Sequence, residues 1–549
     1  MVVRINQAGQ TARRRADPWS LAALAIASLV LLPVLSVFWI AGQGGWDIWP
    51  HLLSTTLPRY AANTLVLMVG VGLLTSAVGT GAAWLVTLYR FPGRDWLQWA
   101  LLLPMAVPAY VGAYALVDFL EYSGPVQIAL RSVFGWQSAR DYWFPEIRTR
   151  GAAILVLSGA FYPYVYLLTR AAFREQSGAV YEVARALGVG PVARFVRVGL
   201  PLARPAIAAG AAVVMMETVN DFGAVDYFAV QTLTTGIFSI WLQAGNLAGA
   251  AQIAACVLVL VVALVTLEKA SRRRVRTHGS ARALRPVAVQ ALSGWQGWLA
   301  MLACLLPFGG GFVLPAGVLL ANSLDAEQWV EPGLLRALWH TLAVGLTASV
   351  LCVAMGVVMV YGARLSGRRL PVLLLPVTAI GYAVPGAVLG IGMLIPLVAL
   401  DNTLADGVLA LTGTDPGLLL TGTSAALTLA YVVRFFAVTQ GTADATLARI
   451  SPSLPMASRS LGRTAGGTLR AIHLPLARAS LGSALLLVFV DCVKELPATL
   501  LLRPFNFETL ATRVQAKASL EALSEAAPAA LTITLVGLAA TILLARSTR

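Results

Sequence analysis

ALGVGPVARFVRVGLPLARPA, Ala186 to Ala206, is met a second time as SLGRTAGGTLRAIHLPLARAS, Ser460 to Ser480. The copies stand 274 residues apart, and Gly188, Leu200, Pro201, Leu202, Ala203 and Arg204 fall on Gly462, Leu474, Pro475, Leu476, Ala477 and Arg478. The same spacing carries Glu217 onto Asp491 and Asp221 onto Glu495. Chance does not hold register over about 35 residues while repeating two acidic positions inside apolar sequence. The chain is a tandem duplication.

The surroundings of both copies are apolar. Of 549 residues, 58% are hydrophobic and 12% charged, and the mean hydropathy is +0.76. A soluble domain carries roughly 25% charged residues, so the natural solvent here is a bilayer. A span needs roughly 20 apolar residues to cross about 30 Å of hydrocarbon. Candidate spans lie near 20–42, 62–89, 96–120, 152–172, 205–228 and 249–267, then near 296–322, 338–363, 370–398, 420–440, 478–502 and 527–545. The expected fold is therefore an all-α integral membrane protein of about twelve transmembrane helices, arranged as two six-helix repeats. Residues 1–268 form the first unit, 269–292 a basic cytoplasmic linker and 293–549 the second unit.

Arginine sets the topology. The net charge of +15 is almost all arginine, since Lys269, Lys494 and Lys517 are the only lysines. Clusters at Arg13 to Arg15, Arg90 with Arg94, Arg170 to Arg204, Arg272 to Arg285, Arg364 to Arg369, Arg449 to Arg478, and Arg546 with Arg549 occupy every alternate loop. The positive-inside rule makes those loops cytoplasmic and puts both termini inside. Each unit holds an even number of spans, so the two repeated loops share one face and the units are parallel. Arginines scattered in short clusters between apolar runs argue against nucleic acid and for anionic lipid headgroups and a cytoplasmic partner. The stretch from Leu21 to Ala41 is long enough to span and lacks a cleavage site, so it is expected to remain as the first helix. Cys256, Cys304, Cys352 and Cys492 each sit in an apolar run without CxxC spacing and read as inert thiols.

The repeated loop has a mechanical reading. Tyr181 to Gly188 is made of helix formers, and Gly188 and Gly190 supply the positive φ that ends such a helix. Pro191 opens a second short helix, and Leu200-Pro201 is expected to break it before the next span. Two such units at identical internal spacing outweigh the alternative of an ordinary basic loop. Each would pass a push from a cytoplasmic partner to the span behind it.

At these residues the sequence resembles the binding-protein-dependent ABC importer permeases, the type I family with a cytoplasmic "EAA" signature. The signature is glycine, nine residues, an aliphatic, one residue and Leu-Pro. It is written here as Gly188 with Val198-Gly199-Leu200-Pro201 and as Gly462 with Ile472-His473-Leu474-Pro475. The resemblance implies that loops 181–201 and 455–475 are coupling helices seated in grooves of ATPase subunits. The first copy keeps the family's acid as Glu182 and an alanine as Ala184. The second departs, with Met456 in place of the acid and Pro455 before it. ETVNDFGAVDYFAVQTLTTGIFSIW from Glu217 and VKELPATLLLRPFNFETLATRV from Val493 look like the ferric-iron-type permeases, whose two membrane units are fused. Thiamine, phosphonate and polyamine permeases are relatives. The implied machine is an inner-membrane permease in a bacterial cell, passing cargo from a periplasmic binding protein by alternating access. Two copies of a cytoplasmic ATPase would drive it, holding the ATP and magnesium, with no cofactor on this chain.

Charges interrupt two of the spans. Glu217 and Asp221 are four residues apart on one helical face, as are Asp491 and Glu495, with Lys494 between. An ion at mid-bilayer costs at least about 2.5–3.5 kcal/mol on insertion scales and must face protein or a wet pathway. Gly223 with Gly236, and Pro497 with Pro504, mark places where irregular backbone can line a cavity. Two readings stand side by side. Four carboxylates would line a gate suited to a hard, oxygen-loving cation such as Fe³⁺. Alternatively they lock helices, Lys494 with Asp491 or Arg503 with an acid near the outer surface. No metal site is assigned, because His51, His278, His340 and His473 are scattered.

No GxxxxGK[ST] occurs, and a P-loop needs that lysine on the phosphates. GxSxG, HExxH and cysteine–histidine sets are missing too. The chain reads as a permease and not an enzyme. An ion-coupled secondary transporter using the intramembrane carboxylates is the rival from another class, and it leaves the paired loops unexplained. Within the preferred class the alternative cargoes are thiamine, a phosphonate, a polyamine or an anion.

Overall fold

The computed structural model describes residues 18–45, 49–273, 288–324, 326–366, 369–379, 381 and 384–547. The arginines at 13–15 and 274–287 of the basic linker lie outside the described residues.

The first unit opens with α1 (Pro18–Gln43) and α2 (Leu57–Leu88). A short α3 (Arg94–Ala100) leads to α4 (Ala109–Leu120) and the outer-loop helix α5 (Pro125–Phe134). Then come α6 (Arg150–Glu175), α7 (Gly178–Ala186) and α8 (Pro191–Asn220). Two short helices, α9 (Gly223–Tyr227) and α10 (Leu233–Phe238), precede α11 (Leu247–Arg273). The second unit repeats the order with α12 (Trp295–Asn322), α13 (Pro332–Ser366), α14 (Arg369–Thr378), α15 (Gly386–Thr412), α16 (Ser424–Arg449) and α17 (Ser453–Ser460). It closes with α18 (Ala465–Val493), α19 (Pro497–Leu502), α20 (Leu510–Ser519) and α21 (Leu523–Ser547).

Among the described residues ten helices are long and apolar enough to span, and an eleventh crossing is the pair Arg94–Ala106 and Ala109–Phe134, bent by 94°. The bend falls at Pro108, which cannot donate to the ladder and holds Val107 extended at φ −94°, ψ 119°. Pro385 plays the same part before α15. Thus the expected unbroken spans at 96–120 and 370–398 are both interrupted, for one reason. The twelfth crossing is α16, which is 26 residues long but carries Arg434, Gln440 and Asp444. It stands one repeat length from α6, end to end. Six crossings separate α7 from α17, so the two loops share a face and the units are parallel.

Duplicated contacts show that the units share packing as well as order. The Leu233 amide donates to Thr64 Oγ1 at 3.0 Å, and the Leu510 amide to Thr341 Oγ1 at 2.8 Å. Thr232 with Thr235, and Thr509 with Thr512, form capping boxes on α10 and α20. Gly79 lets α2 meet α6, where a Cβ would lie 2.8 Å from the Tyr162 carbonyl oxygen and 2.9 Å from the Tyr166 amide nitrogen. Gly356 does the same for α13 on α16, 2.8 Å from Thr439 Oγ1 and 3.1 Å from the Gln440 amide nitrogen. Close approach through small residues is how apolar helices gain packing where lipid gives no hydrophobic drive. Gly79→Val is therefore expected to cost about 3 kcal/mol, since backbone cannot move aside. A thermal-unfolding midpoint in detergent unchanged from the parent would contradict this.

The units interlock. The first helix of each packs on both, α1 on α11 of its own unit and on α13 and α15 of the other, and α12 on α21 of its own unit and on α2, α4 and α6 of the other. A two-residue parallel pairing of β1 (Tyr89–Arg90) with β2 (Gln290–Ala291) ties the end of the linker to the end of α2.

Candidate functional site: twin coupling loops and a charged cavity

The two loops have one backbone. In the first, the Val189 amide donates to the Ala184 carbonyl at 3.0 Å and the Gly188 amide to Arg185 at 2.9 Å. In the second, Arg463 donates to Ser458 at 3.2 Å and Gly462 to Arg459 at 2.9 Å. Gly188 and Gly462 hold φ of +73° and +81°, the left-handed turn that closes a helix C-terminus and favours glycine. This turn lifts Leu187 and Leu461 into the open, 76% and 81% exposed. Glu182 and its counterpart Met456 are exposed on the same faces, while Ala184 is buried and so is Ser458, which shares a hydrogen bond with Thr468 at 3.1 Å.

Each loop is seated on an aromatic at the end of a span. Trp84 of α2 meets Phe173, Tyr181 and Phe195 at centroid distances of 5.3, 5.8 and 5.0 Å. Burial there pushes the Tyr181 phenol up to about 12, so it stays neutral packing. Gly199 lies so close that a Cβ would sit 2.4 Å from the Trp84 ring. In the second unit Tyr361 meets His473 at 5.2 Å and donates from its hydroxyl to the Ala465 carbonyl at 2.8 Å. The break expected at Leu200-Pro201 is not there, nor at Leu474-Pro475. A π turn at Phe195–Gly199, and another at Leu469–His473, runs each loop straight into its span. The Leu200 amide reaches back to Phe195, and the wider turn makes room for a proline that has no N–H to give. The lever is rigid where a hinge was expected.

At the far ends of α8 and α18 the two units face one another across a cavity of about 110 Å³, room for several waters. Glu217, Asp221, Asp491, Lys494, Glu495 and Pro497 all line it. Arg503 does not; it lies exposed at the end of α19. The carboxylates sit farther along the helices than the spans 205–228 and 478–502 implied. Those spans end at Asn220 and Val493, and the 21 residues from Leu200 already rise about 31 Å, the whole hydrocarbon thickness. Glu217 and Asp491 lie in the last turns of these helices, and Asp221 and Glu495 just past their ends.

Two of them have a clear structural task. Asp221 Oδ1 accepts from the Ala224 and Val225 amides at 3.0 and 3.1 Å. Glu495 accepts from the Ala498 amide at 3.0 Å, the Thr499 amide at 3.1 Å and the Thr499 hydroxyl at 2.8 Å. Each acid satisfies the free N–H groups of the short helix that follows, α9 or α19. Asp491 pairs with Lys494 at 2.8 Å, and Glu217 lies near enough to Lys494 and Tyr164 to act on both electrostatically. Among the described residues no three histidine, cysteine, aspartate or glutamate side chains converge to hold a metal ion. The four acids meet in one place, as locks and caps.

Sequence reasoning missed Arg434. It enters the cavity from α16 and lies 3.9 Å from Glu495. Gly386, just after Pro385, allows the approach, since a Cβ there would be 2.6 Å from both Arg434 Nη1 and Glu495 Oε1. The signal was present as a lone arginine inside the apolar run around 420–440. Tyr110 Oη, Asn220 Oδ1 and Arg434 Nη1 are buried on this wall without a hydrogen-bond partner among the described residues. A second cavity, of about 380 Å³, shares Met105, Tyr164, Asp491 and Lys494 with the first and reaches Arg170 and Arg174 near the first of the repeated loops.

The family model described as "Binding-protein-dependent transport system inner membrane component" matches residues 76–277. The Fe(3+)-transport system permease protein FbpB 2 of Haemophilus influenzae is 26% identical over 95% of this chain and 97% of its own length, so it matches both units. The sulfate transport system permease protein CysT of Salmonella typhimurium is 24% identical over 46% of this chain and 92% of its own. The molybdenum transport system permease protein ModB of Escherichia coli is 26% identical over 39% and 92%. These two match one unit's length. The chain is thus similar to the binding-protein-dependent transport permeases, through residues 76–277 by the family model and through both units by its likeness to FbpB 2.

Proposed function

We propose that this inner-membrane permease passes ferric iron from a periplasmic binding protein to the cytoplasm by alternating access. Two copies of a separate ATPase dock on α7 and α17 and hold the ATP and magnesium; this chain carries no cofactor, and both its termini face the cytoplasm. The observation that carries the reading is the matched pair of rigid loops with Leu187 and Leu461 unpartnered at their tips. An exposed apolar residue held by a glycine turn, twice over, has the form of a contact surface awaiting a paired partner. Movement of either loop would be carried by the unbroken α8 or α18 to the charged cavity. There α9 and α19 meet near Gly223 and Leu496, where a Cβ on Gly223 would lie 2.8 Å from the Leu496 side chain. This contact is proposed as the outer gate, in its closed state.

Iron is favoured as cargo because the relative that matches both units is named for Fe(3+), and because four acids face two bases in the cavity. The relatives named for sulfate and molybdenum supply the alternative, an oxyanion. Uptake of radiolabelled ferric iron, sulfate and molybdate in a strain lacking this chain, with and without its return on a plasmid, separates them. Restoration of iron uptake alone is expected. Restoration of sulfate or molybdate uptake instead would replace the cargo and leave the permease reading intact. Purification from native membranes without any ATP-hydrolysing subunit would overturn the docking assignment.

A further inference from the structure

Beside the first coupling loop lies a pocket of about 200 Å³ that the transport reading does not use. Its polar border is Arg94, Arg170, Arg174, Gln98 and Thr87. Arg170 is buried, 8% exposed, with Nη2 donating to Gln98 Oε1 at 2.7 Å and its guanidinium 5.4 Å from the Trp99 ring. Arg174 follows one helical turn later on the same face. Arg94 is anchored through Nε to the Val86 carbonyl at 2.8 Å, which leaves its outer nitrogens available. Its one ion pair among the described residues is a 3.5 Å contact with Asp95, whose side chain is 93% exposed and does not border the pocket. No carboxylate lines the cavity among the described residues.

Three guanidinium groups around one pocket repel each other unless something negative sits between them, and a buried cation is held by pairing. A fourth polar feature points the same way. Thr87 Oγ1 is buried at the pocket without a hydrogen-bond partner among the described residues. Arginine forks match the oxygens of a tetrahedral anion two at a time, and a hydroxyl supplies one further donor. Among the described residues the second unit shows no such cluster: Asp444 stands where Arg170 stands in the first and instead pairs with Arg364 at 2.7 Å. The pocket is therefore not a by-product of the duplicated fold.

We propose that the pocket bounded by Arg94, Arg170 and Arg174 binds a phosphate group, brought either by the headgroup of an anionic phospholipid or by free phosphate. The proposal goes beyond the cargo reading and does not depend on it. An occupant here would tie α3 to α6 at the root of the first coupling loop, and would cancel positive charge at the inner cavity that Arg170 and Arg174 also line.

The test uses the full chain purified in a non-ionic detergent. Native mass spectrometry reads retention of added phosphatidylglycerol against phosphatidylcholine, and equilibrium dialysis with radiolabelled orthophosphate reads binding of the free anion. Retention of phosphatidylglycerol, weakened roughly tenfold by Arg174→Gln and again by Arg94→Gln, identifies a lipid occupant. Orthophosphate binding weakened in the same way identifies the soluble one. Arg170→Gln is a third variant, read only if it elutes as a monodisperse protein. Arg174 is exposed, so its loss does not threaten the fold. Absence of both kinds of binding, or binding unaltered in Arg174→Gln and Arg94→Gln, overturns the proposal.

Discussion

Gly188→Pro is expected to abolish coupled uptake, by roughly a hundredfold (about 3 kcal/mol), while the chain still inserts and still melts near the parental temperature. The native φ of +73° at this position is out of reach for proline, whose ring fixes φ near −65°. Its ring also removes the amide that donates to Arg185 at 2.9 Å. The turn would open and Leu187 would leave its place. Nothing lies within 4 Å of a Cβ on Gly188, so the damage stays in the loop and spares the membrane core. Gly462→Pro should do the same from the second unit, because its φ is +81° and its surroundings are equally open. Uptake assays paired with detection of the chain in the membrane fraction give the answer. Normal uptake in both variants would refute the assignment of these loops as the coupling elements.

Glu495→Ala should be the most destabilising single change in the charged cavity. The side chain is 2% exposed, caps α19 through three hydrogen bonds and faces Arg434 at 3.9 Å. Its removal uncaps the short helix and strands a nearly buried guanidinium, a loss of about 3–5 kcal/mol. Replacing both partners, Glu495→Leu with Arg434→Leu, should recover most of that loss, since no charge is then left unpaired. Asp221→Asn in the first unit should cost only about 1 kcal/mol, the worth of a helix cap. The position in α6 that matches Arg434 holds Ala160, so no cation is abandoned there. Thermal unfolding in detergent, followed by tryptophan fluorescence, ranks the four proteins. A parental midpoint for Glu495→Ala would sink the cap-and-pair account.

Much of the architecture could be read before any coordinates. Gly188 and Gly462 announced the turn because only glycine accepts that φ without strain, and Leu-Pro after a fixed interval announced the span behind it. The pairing of Lys494 with Asp491 was available from their spacing on one helical turn. The bends at Pro108 and Pro385 were legible in kind, since each proline stood in plain sight, but both were passed over as interior to an apolar run. Leu200-Pro201 failed the other way. A proline that breaks an α-helix is absorbed by a π turn, and which of the two happens depends on the packing of Gly199 against Trp84, a contact 115 residues away in sequence.

Periodicity, arginine bias and internal repetition are properties of the chain taken in order, and they pointed to the bilayer as solvent, to two parallel units and to a loop that occurs twice. The tertiary structure alone decided what the charges do. Whether an acid caps a helix, pairs with a base or lies open depends on atoms within about 4 Å, and for Glu495 those atoms come from α16 and α19 together. The way α1 and α12 each bridge the two units has the same origin. An apolar helix buries its faces against any matching surface, and only the assembled bundle offers one from its own unit and one from the other at once.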